Sequence, residues 1–373
     1  MAATCPVLSV MVAVIVASSD MVTATAHRGD ARKGRPVNLR APVTLLDVAQ
    51  RAGVSVATAS RVLNGGDRVP RPELQERVKA AADELGYTPN AQAQALAKSS
   101  TNLVGILVHD IEDPYFAAIA NGVMRAADAR NLLVMMASTF RDSDREIAYL
   151  SSLRAQRARA AVMIGSRRTD ADSLSRTASE VESFLNSGAG LALVSQSGMP
   201  AHTVEPDNRT GSADLARELV ALGWRKFAVL GGPETLATAR DRRAGFVEGL
   251  AEAGLQPVAI ETGDFTRDGG YAAAEGLLDR QADVDCMFAV NDVMAVGAMS
   301  ALRTRGVDVP GKLGVAGFDD IATLRDVWPG LTTVRLPLEQ MGRRALELAI
   351  EGGDVTTETF KAEVVLREST AKA

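Results

Sequence analysis

The chain is poor in the residues that most often build metal sites and disulfide frameworks. Its 373 residues include two cysteines, Cys5 and Cys286, and three histidines, His27, His109 and His202. The cysteines lie far apart in sequence and form no metal or disulfide spacing, which is typical of a protein from the reducing cytoplasm. The histidines show no HExxH spacing. We therefore expect no metal and no cofactor.

Segments that would attach the chain to a membrane are also missing. Residues 6–17 are largely apolar but too short to span a bilayer. No Lys or Arg precedes Arg28, whereas a secretory signal begins with positive charge. We expect residues 1–42 to be a disordered leader and basic arm, with Met21 as an alternative start. Residues 28–40 are basic, and they fit a DNA-backbone arm and a solvated tail equally well.

Motifs of nucleotide-dependent enzymes do not occur. Gly231-Gly232-Pro233 is not G-x-G-x-x-G, and no GxxxxGK[ST] is present. No nucleophile and base lie in a recognisable frame, and His109 and His202 have no motif around them. The sequence therefore argues against an enzyme.

Length and charge indicate a soluble chain with more than one domain. A chain of 373 residues exceeds the usual size of one core, and its 46% hydrophobic and 23% charged content is ordinary for globular proteins. The net charge of −5 divides into +4 for residues 1–100 and −9 for residues 101–373. A basic head on an acidic body is expected when only the head meets phosphate.

Residues 43–64 predict two short helices joined by a tight turn. Thr44 and Asp47 form a helix start signal, Gly53 permits a left-handed turn, and Ser55 caps the second helix. This pattern favours a helix-turn-helix that places its second helix in the DNA major groove. A generic helical hairpin is the alternative. A third helix is expected from Pro72 to Gly86.

The second helix presents side chains suited to reading DNA. Arg61 fits O6 and N7 of a guanine, while Val56 and Ala57 fit thymine methyl groups. The hydroxyls of Thr58 and Ser60 suit phosphates instead.

From residue 102 onward, short apolar runs alternate with helical stretches. Strands are expected at 103–108, 132–137, 160–164, 191–194, 227–230, 286–290 and 314–318, with helices at 115–130, 212–222, 240–253 and 293–305. Repeated strand–helix units imply doubly wound α/β sheets in two lobes. The fold class is thus an α-helical head plus a two-lobed α/β body.

Several motifs together resemble the lactose-repressor (LacI/GalR) family over roughly residues 43–371. They are the helix-turn-helix, Leu63-Asn64-Gly65, the ELGYTPN segment at 84–90 and the Ala/Gln/Leu-rich segment at 91–97. The resemblance implies that Val56, Ala57 and Arg61 read bases and that Leu96 is a hinge leucine, which wedges into the minor groove. Ala59 stands where the family commonly has valine, which implies a looser head core. The expected DNA-contacting residues are Thr44, Ser55, Val56, Ala57, Thr58, Ser60, Arg61, Asn64 and Leu96.

The resemblance also implies a body similar to periplasmic sugar-binding proteins, with a ligand cleft between the lobes and a last strand at 364–370. Ligands in such sheets bind beyond the carboxyl ends of strands. Arg242 matches the family's cleft arginine and Asp292 its cleft aspartate. Phe116 and Trp328 fit both stacking on a sugar and packing in the core. The expected effector-binding residues are Asp110, Tyr115, Phe116, Ser195, Arg242, Phe265, Asp292 and Trp328. The residues after strands at 207–208 and 319–320 are weaker candidates.

These features predict a cytoplasmic transcription regulator that represses from a pseudo-palindromic double-stranded DNA operator as a homodimer and responds to a sugar. Release and strengthening of DNA binding by the sugar both agree with the sequence. The expected domains are a helix-turn-helix at 43–89, a hinge at 90–101 and an effector-binding and dimerisation body at 102–373. An exported sugar-binding receptor is the alternative, and residues 43–99 argue against it.

Overall fold

The computed structural model describes residues 13–14, 43–64, 70–88 and 101–372. The chain divides into two compact units, Ala17–Thr101 and a second unit that joins Met1–Val16 to Asn102–Ala373. The predicted hinge at 90–101 lies outside the described residues except for Thr101, and the hinge leucine Leu96 lies outside them entirely.

The head contains the three predicted helices, α1 (Leu45–Ala52), α2 (Val56–Asn64) and α3 (Pro72–Leu85). Thr44 and Asp47 form a reciprocal capping box at the start of α1. Gly53 ends α1 at φ 63°, a left-handed conformation that glycine adopts at little cost. The small core contains Val48, Ala49, Ala52, Ala59, Val78, Ala81 and Ala82. Ala59 is fully buried within it.

The body consists of alternating strands and helices. The strands are β1 (Ala13–Val14), β2 (Leu103–Val108), β3 (Leu133–Ser138), β4 (Ala160–Ile164), β5 (Gly190–Val194), β6 (His202–Pro206), β7 (Phe227–Gly231), β8 (Ala259–Thr262), β9 (Cys286–Ala289), β10 (Gly314–Ala316), β11 (Thr333–Arg335), β12 (Thr357–Phe360) and β13 (Glu363–Val365). The helices are α4 (Pro114–Asp128), α5 (Ser143–Ala155), α6 (Ala171–Asn186), α7 (Asn208–Ala221), α8 (Ala237–Ala251), α9 (Arg267–Asp279), α10 (Asp292–Thr304) and α11 (Leu338–Glu351).

Two parallel sheets define two lobes. The first lobe contains the sheet β1-β3-β2-β4-β5-β6-β12, and the second contains the sheet β10-β9-β7-β8. Strands β11 and β13 pair antiparallel. The chain passes to the second lobe after β6, returns for α11 and β12, and leaves again for β13. The doubly wound α/β class is therefore as predicted.

Some predicted elements differ from the structure. The expected last strand at 364–370 is shorter, because pairing ends at Val365 and a short 3-10 helix covers Glu368–Thr370. Part of the leader that we expected to be disordered, Ala13–Val14, pairs with Met135 and Met136 of β3. None of the described helices is long and apolar enough to cross a membrane.

Candidate functional site

The outward face of α2 carries the predicted base-reading side chains. Val56 is 42% exposed, and Ala57 and Arg61 are also exposed. The guanidinium of Arg61 forms no hydrogen bond or ion pair with other residues in the described part of the chain. It is therefore available to a partner outside this head.

The hydroxyl groups near α2 have structural roles as well. Ser55 caps the helix, since its Oγ accepts a hydrogen bond from the Thr58 amide at 3.1 Å. The Ser55 and Thr58 hydroxyls lie 2.8 Å apart. Thr44 is likewise engaged in the capping box with Asp47. Ser60 is half-buried, and Asn64 is the last residue of α2. The hydroxyls of Thr44, Ser55 and Thr58 thus stabilise the recognition element.

In the body, a cavity lies where the carboxyl ends of strands from both lobes meet. Residues after β2, β4 and β5 line it from the first lobe, and residues from the second lobe complete it. We call it the cleft cavity. Its charged and aromatic lining comprises His109, Asp113, Tyr115, Phe116, Arg141, Arg242, Phe265 and Asp319, and Ser195 lies beside them. This is the position where open α/β sheets bind ligands.

Arg242 is the best-anchored charge in the cleft cavity. It projects from α8 and is only 1% exposed. Its Nη2 lies 2.6 Å from Asp319 Oδ1, its Nε donates to Asn208 Oδ1 at 2.8 Å, and its Nη1 donates to the Val290 carbonyl at 2.8 Å. The guanidinium also stacks 3.9 Å from the centre of the Phe318 ring. These contacts fix one orientation of the guanidinium before any ligand arrives.

Asp319 is held in an uncommon backbone conformation. Its φ of 121° is rare for a residue with a side chain, and such strain tends to occur at functional sites. One carboxylate oxygen pairs with Arg242, while the other accepts no hydrogen bond from other described residues. Burial raises the pKa of Asp319 and the Arg242 charge opposes that effect. The neighbouring Asp320 instead binds Arg335 and Arg367, at 2.7 and 2.6 Å.

Aromatic side chains form two walls of the cleft cavity. Phe116 is 5% exposed, and its ring contacts Tyr115 edge-on at 5.1 Å. Phe265 lies on the second lobe, with the Arg141 guanidinium 5.9 Å from its ring centre. Burial raises the pKa of the Tyr115 hydroxyl well above its ordinary value, so the hydroxyl stays neutral. Ser195 is buried at the carboxyl end of β5, and its hydroxyl contacts Gln196 at 3.3 Å.

Asp292 does not line the cleft cavity, in contrast to our expectation. It is fully buried as the first residue of α10. Both carboxylate oxygens are engaged, because Thr333 Oγ1 donates to one at 2.6 Å and the Ile321 amide donates to the other at 3.0 Å. Burial raises the pKa of Asp292 to about 6. The cleft carboxylate that pairs with Arg242 is Asp319, which we had treated as a weaker candidate.

Asp110 and Trp328 also lie outside the cleft lining. Asp110 is in the turn before α4, and its Oδ1 accepts a hydrogen bond from the Glu112 amide at 3.0 Å. Trp328 is 84% exposed and lines a groove of the second lobe with Val296 and Met299. A short 3-10 helix, Ala322–Asp326, separates it from the cleft residue Asp319. Within the described residues, no group of His, Cys, Asp or Glu is arranged to hold a metal ion.

Direct contacts join the two lobes beside the cleft cavity. Arg168 and Leu236 form an antiparallel β-bridge. The Thr238 amide donates to Ser166 Oγ at 3.0 Å, and Gln196 Nε2 donates to Thr238 Oγ1 at 2.7 Å. The loops that line the cavity are thus the same loops that hold the lobes together.

Family models of known proteins match both the head and the body of this chain. The model described as "Bacterial regulatory proteins, lacI family" matches residues 44–90, and that described as "Periplasmic binding proteins and sugar binding domain of LacI family" matches residues 101–365. The chain is 34% identical over 338 residues to the transcriptional regulator GalS of Salmonella typhimurium, covering 88% of this chain and 97% of that protein.

Solved structures show the same likeness. One is the transcriptional regulator CelR in complex with cellobiose, at 30% identity and a TM-score of 0.62, over 88% of this chain and 99% of that one. Another is the Lac repressor dimer bound to operator and the anti-inducer ONPF, at 26% identity and a TM-score of 0.75, over 89% and 100%.

A helix-turn-helix head joined to a two-lobed binding body defines a class of DNA-binding transcription regulators. The family matches and the relatives place this chain in that class, and it is a regulator rather than an enzyme. The chain belongs to the LacI family. The exported receptor is not favoured, since residues 44–90 match the regulatory head.

Proposed function

We propose that the protein is a cytoplasmic repressor that binds a pseudo-palindromic operator as a homodimer and releases or tightens it when a sugar enters the cleft cavity. Two α2 helices, one from each protomer, would lie in successive major grooves. The sugar would shift the dimer between arrangements of different operator affinity.

The buried Arg242–Asp319 pair is the observation that carries the sugar assignment. A guanidinium with fixed orientation and a carboxylate oxygen without a protein donor present a donor and an acceptor side by side. Vicinal hydroxyl groups need both, since each hydroxyl donates one hydrogen bond and accepts others. Phe116 and Phe265 supply faces on which the apolar side of a sugar ring can stack. The cellobiose bound by the CelR relative is a ligand of this chemistry.

For the head, we assign Arg61 as the principal polar reader of bases, with Val56 and Ala57 beside it. Their exposure on α2 supports this assignment. Ser60, Asn64 and the capping hydroxyls would contact phosphates near the start and end of α2. Leu96 would wedge into the minor groove at the operator centre. We propose that the helix-turn-helix domain covers residues 43–89, the hinge 90–101 and the effector-binding body 102–373.

The groove at Trp328 supports dimer formation through the second lobe. An 84% exposed tryptophan beside Val296 and Met299 gives the groove an apolar patch, and Arg267, Arg303 and Asp326 also line it. Apolar patches combined with polar groups are typical of surfaces that protein contacts cover. We assign a second copy of this chain as its occupant, as the dimeric Lac repressor relative suggests. Trp328→Ser should weaken self-association in sedimentation experiments. Phe140→Ser, which removes another exposed ring from the first lobe, is the control and should leave it unchanged.

A thermal-shift screen of the full-length protein against neutral and charged sugars tests the proposed effector. A ligand of the folded state raises Tm by mass action. The expected result is that one sugar class raises Tm of the wild type and not of Asp319→Asn, an isosteric change that removes the cleft charge. Arg209→Gln breaks only the exposed pair with Glu248 and should respond as the wild type does. If no sugar shifts Tm, the effector assignment is wrong.

A further inference from the structure

A second cavity lies inside the first lobe, next to the cleft cavity, and we call it the side cavity. It is a small cavity that opens partly to solvent. Its walls come from the carboxyl ends of β2 to β5, from α5 and α6, and from Leu236 of the second lobe. The two cavities share His109, Arg141, Gly165, Ser166, Ser195 and Leu236. One ligand can therefore extend from the cleft cavity into the side cavity.

The side cavity contains buried polar atoms without a partner. Among the described residues, four buried side-chain polar atoms make no hydrogen bond, and two of these, Thr139 Oγ1 and Arg167 Nε, belong to residues that line this cavity. Buried polar atoms are nearly always paired, so unpaired ones in a cavity point to a missing partner. Arg167 Nε can only donate, and its partner must therefore be an acceptor.

The side cavity also has two guanidinium groups without a direct protein partner among the described residues, although the carboxylates of Glu205 and Asp241 act on Arg167 from a distance. The guanidinium of Arg141 forms no hydrogen bond or ion pair with other described residues, and neither does the guanidinium of Arg167. The other ionisable groups of the wall already have protein partners. Glu146 Oε1 lies 3.3 Å from His109 Nε2, and Arg168 Nε lies 2.9 Å from Asp170 Oδ2. Two arginines thus remain for a ligand.

One carboxylate of the neighbouring cleft cavity must be weighed against this charge. Asp113 caps α4, and its Oδ1 accepts a hydrogen bond from the Tyr115 amide at 3.0 Å. Burial raises its pKa, while the charge of Arg141 lowers it. The carboxylates near the two arginines are Asp113, Glu146, Glu205 and Asp241, and none of them forms an ion pair with either guanidinium. The hydrogen-bond donors of both arginines therefore stay open to a ligand. An acceptor-rich anion therefore suits the side cavity better than a neutral hydroxyl group.

We propose that the effector is an anionic sugar whose carboxylate or phosphate group binds in the side cavity. This inference rests on the proposed sugar function and names the class of sugar. The anionic oxygens accept hydrogen bonds from Arg141, Arg167 and the Thr139 hydroxyl. The sugar ring lies in the cleft cavity, against Phe265 and the Arg242–Asp319 pair. Guanidinium groups match carboxylate and phosphate oxygens in geometry and charge, and burial strengthens such hydrogen bonds.

Calorimetric titration of the full-length wild type tests the inference with matched sugar sets. Each set contains a neutral hexose or pentose, the uronic acid of the hexose, and the phosphate ester. We expect one anionic member to bind at least about tenfold more tightly than its neutral parent, the usual range for charge-assisted hydrogen bonds. The uronate and phosphate arms distinguish the two anion chemistries. Equal or tighter binding of the neutral sugars overturns the inference and leaves the proposed function intact. Failure of every sugar to bind overturns both.

Variants localise the effect. Arg141→Gln and Arg167→Gln should each weaken binding of the anionic sugar about tenfold or more. Each should change the affinity for the neutral parent sugar less than about twofold. Thr139→Val keeps nearly the same side-chain shape but removes the hydroxyl, and it should also weaken binding of the anionic sugar. Arg176→Gln is the control, because Arg176 lies on α6, is exposed, and pairs with Asp144 outside both cavities. Equal losses for Arg176→Gln and Arg141→Gln, or an unchanged affinity in the Arg141 and Arg167 variants, would contradict the assignment.

Discussion

Arg242 Nη2 lies 2.6 Å from Asp319 Oδ1, with both side chains almost fully buried. The pair joins α8 to the segment after β10 within the second lobe. Burying two charges costs desolvation free energy that their attraction barely offsets, so a buried pair is weak evidence for a stabilising role. Its position in the cleft cavity is instead explained by ligand binding, for which both charges must be held in place.

Removing one member of this pair should destabilise the fold more than removing both members. Arg242→Ala leaves Asp319 buried and unpaired, with an expected loss of about 3–5 kcal/mol in the free energy of unfolding. The double change Arg242→Ala/Asp319→Ala should recover part of that loss. Urea unfolding measures the coupling. The exposed pair Arg209–Glu248 is the comparison and should couple by less than about 1 kcal/mol. Additive effects at Arg242 and Asp319 would contradict this account.

Arg61 should determine sequence preference rather than general DNA affinity. Arg61→Ala is expected to cost about 1–3 kcal/mol at one operator base pair and to relax preference there. Arg51→Ala is the matched control, because Arg51 is an exposed arginine of α1 paired with Glu84. Binding to a library of operator variants measures both. A base preference that survives Arg61→Ala while total affinity falls would show that Arg61 contacts phosphate instead.

The packing of α8 against α7 should depend on close backbone contact at Gly245. A Cβ at this position would overlap the carbonyl group of Arg209. Gly245→Ala is therefore expected to destabilise the protein by about 1–3 kcal/mol, the usual cost of overpacking. Gly276→Ala, on α9 where a Cβ meets no neighbour, should stabilise it by about 0.5–1 kcal/mol. Thermal and urea unfolding compare the two; similar effects in both variants would refute the packing argument.

The buried carboxyl of Asp292 predicts a pH effect on stability. Burial raises the pKa of this group to about 6, from an ordinary value of 3.8. Between these values the folded state holds the proton more tightly than the unfolded state, so this stabilising contribution is full below about pH 4 and lost as pH rises toward 6. Relative to Asp292→Asn, the wild type should lose on the order of 2–3 kcal/mol across this window. The measurement is urea unfolding of both proteins from pH 4 to 7. A wild type that keeps or gains stability relative to Asp292→Asn as pH rises would contradict the assignment.

Local sequence signals predicted the elements whose structure is decided locally. The Thr44 cap and the Gly53 turn depend on neighbouring residues, and uniformly apolar strands such as β2 and β4 appeared with the predicted bounds. Strands β8 and β12 were missed because their exposed residues alternate with half-buried ones and include Thr and Glu.

The cleft carboxylate could not be chosen from local pattern. Asp292 and Asp319 both follow a buried strand, and the sequence does not show which one faces the cavity. Three-dimensional contacts decide it, since Thr333 and Ile321 satisfy Asp292 while the φ of 121° at Asp319 directs it toward Arg242. Trp328 was assigned to the cleft for its aromatic ring alone, although the structure exposes it elsewhere.

We propose that a ligand at the Arg242–Asp319 pair controls operator binding by the head. The most direct test of this proposal is the operator affinity of the full-length wild type and of Asp319→Asn, measured by fluorescence anisotropy while the effector is titrated. We predict that the effector changes the wild-type Kd by about 5–150-fold, in one direction, and leaves that of Asp319→Asn unchanged. The two proteins should bind the operator equally without effector. An effector that binds the wild type without altering operator affinity, or an Asp319→Asn protein that responds like the wild type, would contradict the account.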